Sequence, residues 1–244
     1  MKNILEQNIT ILSSRADARG QLSVVGAFHT IMDLASDHAE DIGVGYGDMG
    51  ARGAYWIAVR TRLRFYTMPA IGQAVRLQTW PGKAGSVKCD RFYRVSQGDT
   101  AVIEGRTEWI AQDFETGKIL KTDAFGYPLD MEVWPERVCD EPFTRFRDKA
   151  EAENLVQTYT VGSQDIDTGR HMNNVAYVRM LMGTFSVAQI EAMDIYEVEV
   201  AYRVACKEGE VLTIYRRQDD EGWHFLVCKA DGTAAMQAVI RLRA

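Results

Sequence analysis

The sequence predicts an α+β protein built twice on one plan, a long helix followed by antiparallel strands. Three observations predict it. An apolar stripe at helical spacing runs through residues 23–43. Period-two strand patterns, broken by Gly, Pro and Asp turns, follow that stripe. The same order then recurs in the last third of the chain.

In the first half, Val24, Phe28, Ile31, Ala35, Ala39 and Ile42 share one helical face, and Gly43 is the stop signal. The spacing predicts one amphipathic, mostly buried helix of about five turns. A strand follows in which Ile57, Val59, Thr61, Leu63 and Phe65 alternate with Ala58, Arg60, Arg62 and Arg64. Three more strand patterns, AVRLQTW, VKCDRFYRV and AVIEGRTEWIAQDF, come after it, separated at Pro81-Gly82 and Gly98-Asp99. Residues 128–152 break the periodicity with Pro128, Pro135, Pro142 and a cluster of acids. They are read as a crossover linker with short helical turns, dividing a unit at 1–127 from a unit at 153–244.

The second half repeats the first. Residues 173–193 read as one helix, with Val178, Met182 and Phe185 on a single face. Turns at Gly209 and at Asp231-Gly232 each separate a pair of strands. The segment Ile71–Leu77 parallels Glu208–Ile214, and Gly98–Ala101 parallels Asp231–Ala234 with one residue of slip. Two such units in one chain suggest a fused pseudo-dimer.

Composition excludes several classes. Hydrophobic residues at 46% and charged residues at 25% describe an ordinary globular chain. A net charge of −6 argues against a general nucleic-acid binder. No apolar run approaches the ~18 residues of a membrane span. The N-terminal residues turn polar too early for a secretion signal, so a cytoplasmic location with free thiols is expected. Cys89, Cys139, Cys206 and Cys228 form no C-x-x-C pair, and no metal site or cofactor is expected.

Several blocks then fall in a familiar order. They are Met32-Asp33-Leu34-Ala35 with His38-Ala39, Ile42-Gly43-Val44-Gly45, Trp56, Leu77-Gln78-Thr79-Trp80, Arg91-Phe92-Tyr93 and Glu108-Trp109-Ile110. The most specific runs from Asp165 to Tyr177, DIDTGRHMNNVAY. In this order they resemble the acyl-ACP thioesterases of plants and bacteria over nearly the whole chain. The resemblance implies a tandem (double) hotdog fold, each unit a long helix wrapped by an antiparallel sheet. It implies hydrolysis of fatty-acyl thioesters of acyl carrier protein. The chain departs from the family pattern twice. Gly169 stands where the motif has asparagine, and Ala205, before Cys206, where the family has glutamate.

The chemistry asks for an activated water and donors for a developing oxyanion. The segment from Asp167 into the second helix supplies a carboxylate, an imidazole and two carboxamides at a helix N-terminus. Asp167 is either the base or the group that orients His171. His171 either activates water or donates to the carbonyl. Asn173 is assigned to the catalytic set and Asn174 to the oxyanion site, and capping explains at least one of the two. Asp165 and Glu208 are the carboxylates nearest in sequence that could replace the missing glutamate. Cys206, Cys89 and Cys228 are read as core residues on strands, and no role is assigned to His29, His38 or His224. The arginine row 60, 62 and 64 is either a solvated face or a docking patch for an acidic carrier protein. Acyl carrier protein is the expected partner, with no nucleic acid and no membrane, and a homodimer is compatible with the sequence. An acyl-CoA thioesterase and a non-catalytic acyl-thioester binder are the alternative functions.

Overall fold

Each half of the chain opens on a strand absent from the sequence expectation. In the computed structural model, which describes residues 3–243, the first unit ends at Glu141 and the second begins at Pro142. The first contains β1 (Leu5–Thr10), α1 (Val24–Asp41), α2 (Tyr46–Ala51), β2 (Ala54–Phe65), β3 (Ala74–Pro81), β4 (Lys88–Gln97), β5 (Thr100–Asp113) and the short β6 (Ile119–Leu120). The second contains β7 (Leu155–Thr160), α3 (Asn174–Met182), α4 (Val187–Ala192), β8 (Ile195–Tyr202), β9 (Val211–Asp219), β10 (Gly222–Cys228) and β11 (Ala234–Leu242).

Within the first unit the antiparallel strands lie in the order β1-β3-β4-β5-β2, with β6 beside β5. Within the second the order is β7-β9-β10-β11-β8, the same arrangement. β1 and β7 are edge strands whose side chains are at most half-buried, so neither carries the apolar alternation that announces a strand. The duplication reaches individual hydrogen bonds. Gly72 N–H donates to Ile11 C=O at 2.9 Å, and Gly209 N–H to Val161 C=O at 2.8 Å. Both glycines are left-handed, with φ of 82° and 83°, a conformation open to Gly at little cost.

α1 forms as its periodicity dictates. Ser23 caps it, accepting from Gly26 N–H at 2.9 Å. Phe28, Ile31, Leu34, Ala35 and His38 are buried, and the helix lies against β3. The second helical segment does not run through. Arg216 Nη1 donates to Thr184 C=O at 2.8 Å, and Ser186 starts a new helix through a reciprocal capping box with Gln189. Capping chemistry at residues 183–186 thus divides one predicted helix into α3 and α4.

On β2, a bulge between Ala58 and Arg60 breaks the register with β5. The extra residue flips the faces. Ala54 and Ala58 are buried before it, and Thr61, Leu63 and Phe65 after it. Ile57 and Val59 therefore leave the face that simple alternation assigns them.

The linker carries no helical turn before residues 152–154. From 134 to 141 it lies on the outer side of the first unit's sheet, held by side chains. Trp80 Nε1 donates to Glu136 C=O at 2.7 Å. Arg94 pairs with Glu136, and Arg106 and Arg137 with Asp140. Arg62, only 4% exposed, donates to Glu141 C=O at 3.0 Å, and Arg64 pairs with the Glu141 carboxylate at 3.1 Å. Arg62 and Arg64 are thus neither a solvated face nor an open docking patch, because the chain's own linker covers Arg62 and holds Arg64. From Pro142 on, the strap performs the same service for the second unit. Thr144 caps the buried Glu199 carboxylate through its N–H at 2.6 Å and its hydroxyl at 3.1 Å. Asp148 pairs with Arg217 at 2.8 Å.

Candidate active site

The loop from Asp165 to Asn173 carries the expected site residues onto the start of α3. Asp165 frames it. The carboxylate is 3% exposed. Oδ2 accepts from the Tyr159 hydroxyl at 2.7 Å and from Gly162 N–H at 2.9 Å, and Oδ1 from Arg179 at 2.5 Å. Burial by itself raises the pKa of this carboxyl, but the Gly162, Tyr159 and Arg179 donors outweigh it and hold the group below its ordinary value. Both oxygens are committed, so Asp165 serves as a brace rather than as a substitute base. Its carbonyl also accepts from Asn173 N–H at 2.7 Å, which ties the two ends of the loop together.

Inside this frame, Asp167 N–H donates to His171 C=O at 3.0 Å, and Ile166 bridges Met172. The main chain therefore sets Asp167 and His171 at facing positions of one tight turn. Asp167 is exposed and His171 half-buried. Asp167 Oδ1 accepts from Gly169 N–H at 2.8 Å, closing an Asx turn. Asn173 is the N-cap of α3, with Oδ1 accepting from Val175 N–H at 2.8 Å. Its amide nitrogen is left to donate elsewhere. Asn174 is the first residue of the nine-residue α3, where backbone N–H groups lack helical partners. Its carbonyl accepts from the Tyr202 hydroxyl at 3.2 Å.

The first unit contains the same loop with other side chains. Asp17 N–H donates to Gln21 C=O at 2.7 Å, and Ser23 N–H to Arg15 C=O at 2.9 Å. Gln21 thus stands where His171 stands, and Arg15 where Asp165 stands. The left-handed residue is Gly20 (φ 71°) in the first loop and Arg170 (φ 60°) in the second. The positive φ of this loop thus falls on Arg170 and not on the glycine before it. A non-glycine residue there costs about 1–2 kcal/mol. Replacing Arg170 by Gly should therefore stabilise the protein by up to about 1 kcal/mol, read as a higher urea midpoint. A lower midpoint would mean that the Arg170 side chain itself holds the loop.

Cys206 follows β8 rather than lying on it, since the strand ends at Tyr202. The reading of Cys206 as a strand residue fails for that reason, and the nearby Val204 is 41% exposed. Cys206 itself is fully buried, and its carbonyl accepts from Met172 N–H at 2.8 Å. Burial, only partly offset by Tyr177 and Lys229, pushes the thiol pKa up, which keeps it in the non-nucleophilic form at neutral pH. Ala205 is exposed, and its carbonyl accepts from Lys229 Nζ at 3.1 Å. Of the two carboxylates on this turn, Glu208 is exposed, and Glu210 pairs with Lys229 at 3.0 Å and accepts from Lys207 N–H at 3.0 Å. Burial would raise its pKa, but Lys229 and the Lys207 N–H prevail and lower it. Tyr159 and Arg179 brace this loop through Asp165 and escape sequence reasoning. Tyr159 and Arg179 sit in no motif. The parallel between Gln73 and Glu210 was the one signal that placed Glu210 at a repeated turn.

The N-terminal domain of acyl-ACP thioesterases matches residues 2–124, and the C-terminal domain of that family matches residues 148–241. A chloroplastic acyl-[acyl-carrier-protein] hydrolase of Cuphea viscosissima is 22% identical over 234 residues, 90% of this chain and 56% of the relative. A chloroplastic dodecanoyl-[acyl-carrier-protein] hydrolase of Cinnamomum camphora is 22% identical over 86% of this chain and 58% of its own length. The chain thus spans little more than half of these relatives. The crystal structure of an acyl-ACP thioesterase from Bacteroides thetaiotaomicron superposes with a TM-score of 0.84 at 21% identity, covering 99% of this chain and 98% of that one. The 12:0-ACP thioesterase of Umbellularia californica gives 0.85 at 18% identity, covering 100% and 98%. At that identity these superpositions speak for the fold, a tandem hotdog. With both family domains matched in order, the chain belongs to the acyl-ACP thioesterase family.

Proposed function

We propose that the protein hydrolyses fatty-acyl thioesters of acyl carrier protein to free fatty acid and the carrier thiol. The observation that carries the reading is the braced loop that sets Asp167 and His171 across one turn, directly before the N-terminus of α3. In this mechanism His171, oriented by Asp167, takes a proton from water as the water oxygen attacks the thioester carbonyl carbon. The oxyanion that forms draws on the Asn173 amide and on the N–H of Asn174, the first residue of α3. Collapse of the tetrahedral intermediate breaks the carbon–sulfur bond. The departing thiolate takes the proton back from His171, which balances the reaction.

The test is release of free fatty acid from matched acyl-ACP and acyl-CoA substrates across chain lengths. Faster release from acyl-ACP is expected, and Cys206→Ala should keep most of it, because its thiol is buried and protonated. A preference for acyl-CoA would reassign the substrate, and no release from either would leave a non-catalytic binder. Loss of activity in a folded Cys206→Ala protein would instead bring back a cysteine nucleophile.

A further inference from the structure

Arg170 stands between Asp167 and His171 on the turn that sets those two across from each other. Its N–H donates to Asp167 C=O at 3.0 Å, and its backbone is left-handed where the first unit has Gly20. The side chain is exposed and makes no hydrogen bond or ion pair with any of the described residues. Other arginines of the second unit are committed, Arg179 to Asp165, Arg217 to Asp148 and Arg241 to Glu197. A non-glycine residue is thus held in a strained conformation with no internal side-chain contact to offset the cost. Strain of that kind collects where a ligand is gripped.

A second cation lies alongside. The Asp167–His171 turn is joined to the segment after β8 where Met172 N–H donates to Cys206 C=O at 2.8 Å, and Lys207 follows Cys206. The repeat gives the same neighbourhood, since Gln21 and Ala70, the first-unit counterparts of His171 and Lys207, form a bridge. Lys207 N–H donates to Glu210 Oε2 at 3.0 Å. Its ammonium is exposed and likewise has no partner among the described residues. Glu208, the next residue, is exposed and pairs with neither cation. Two uncommitted cations, one of them a guanidinium, suit an anion with several acceptor oxygens. Guanidinium and phosphate meet through two parallel hydrogen bonds, and an ammonium adds a point charge. The substrates of the proposed reaction present such a group. An acyl group on acyl carrier protein or on coenzyme A is held by a phosphopantetheine arm, whose phosphate lies at the end away from the thioester.

We propose that Arg170, assisted by Lys207, receives the phosphate of the phosphopantetheine arm that carries the acyl group. The proposal deepens the thioesterase reading and rests on it for the word substrate, while binding at this site can be measured without catalysis. With the full chain, dodecanoyl-4′-phosphopantetheine should show at least about tenfold higher kcat/KM than dodecanoyl-pantetheine, which lacks the phosphate. Arg170→Gly, which the left-handed turn accepts, should bring the two near parity, with the loss falling in KM for the phosphorylated thioester. Arg170→Lys should keep part of the preference, since it retains the charge but not the fork. Arg170→Gly should also lower kcat/KM for dodecanoyl acyl carrier protein several-fold. A wild-type protein indifferent to the phosphate overturns the proposal. So does a preference that survives Arg170→Gly and Lys207→Met together. Equal loss on both small thioesters, with the preference intact, makes Arg170 a loop residue and overturns it as well. A loss confined to the carrier-protein thioester overturns the phosphate assignment and gives Arg170 to the surface of the carrier. If no thioester is hydrolysed, calorimetry with the S-dodecyl thioethers of 4′-phosphopantetheine and of pantetheine decides. Tighter binding of the phosphorylated thioether, lost in Arg170→Gly, supports the site while the thioesterase reading fails, and equal binding overturns both.

Discussion

Replacing His171 by alanine should lower kcat for acyl-ACP hydrolysis by about 10²–10⁴-fold, the usual contribution of one acid–base group. Stability should hardly change. The side chain is half-buried, and alanine retains the backbone carbonyl that accepts from Asp167 N–H. KM should move little, since the imidazole acts on water and the reacting carbonyl rather than on the acyl chain. Asp167→Asn should produce a comparable loss of kcat, because the amide cannot orient or charge-balance the imidazole as a carboxylate does. The Gly169 N–H bond to position 167 survives that change, as asparagine keeps an acceptor oxygen. A folded His171→Ala protein with near-normal kcat would remove this histidine from the mechanism.

The second large effect is structural. Asp165→Ala should destabilise the protein by about 2–4 kcal/mol, and activity should fall with the loop. The change strands the Tyr159 hydroxyl and the Gly162 N–H. Arg179 contributes least, being 51% exposed and well screened. The pH dependence follows from the direction of the shift. The folded carboxyl sits below its ordinary value, so its stabilisation is complete well above the unfolded-state pKa of about 4. It is lost as pH falls through the depressed folded pKa. Urea midpoints of wild type and Asp165→Asn should therefore converge on acidification. Midpoints that stay parallel down to the acid transition would show that the Asp165 charge contributes nothing.

The parts of the fold that were legible in the sequence are those where one face is apolar and the other wet. α1 announced itself through Phe28, Ile31 and Ala35 because its opposite face is polar. β1 and β7 gave no such signal because as edge strands they bury little. The bulge at Val59 was invisible because bulges depend on pairing, which a single strand does not encode. Cys206 was placed on a strand because alternation by itself says nothing about where the strand stops. At the site, the run from Asp167 to Asn174 was legible because its residues are contiguous. Its brace was not. Tyr159 and Arg179 reach Asp165 from β7 and α3, and only folding brings them to one carboxylate. The arginine row misled for a related reason. Its partner, the linker carboxylate Glu141, lies 77 and 79 positions away.

That linker gives the outer surface of each unit a cover fastened mainly by charge. It has almost no regular hydrogen-bonded structure of its own between β6 and β7, so its order is borrowed from Arg94, Arg106 and Arg217. Ionic strength therefore acts on it selectively, because partly exposed pairs weaken at high salt while the apolar interior does not. In concentrated salt the strap becomes the weak seam of an otherwise firm molecule. A trypsin-like protease finds Arg145, Arg147 and Lys149 spaced along it.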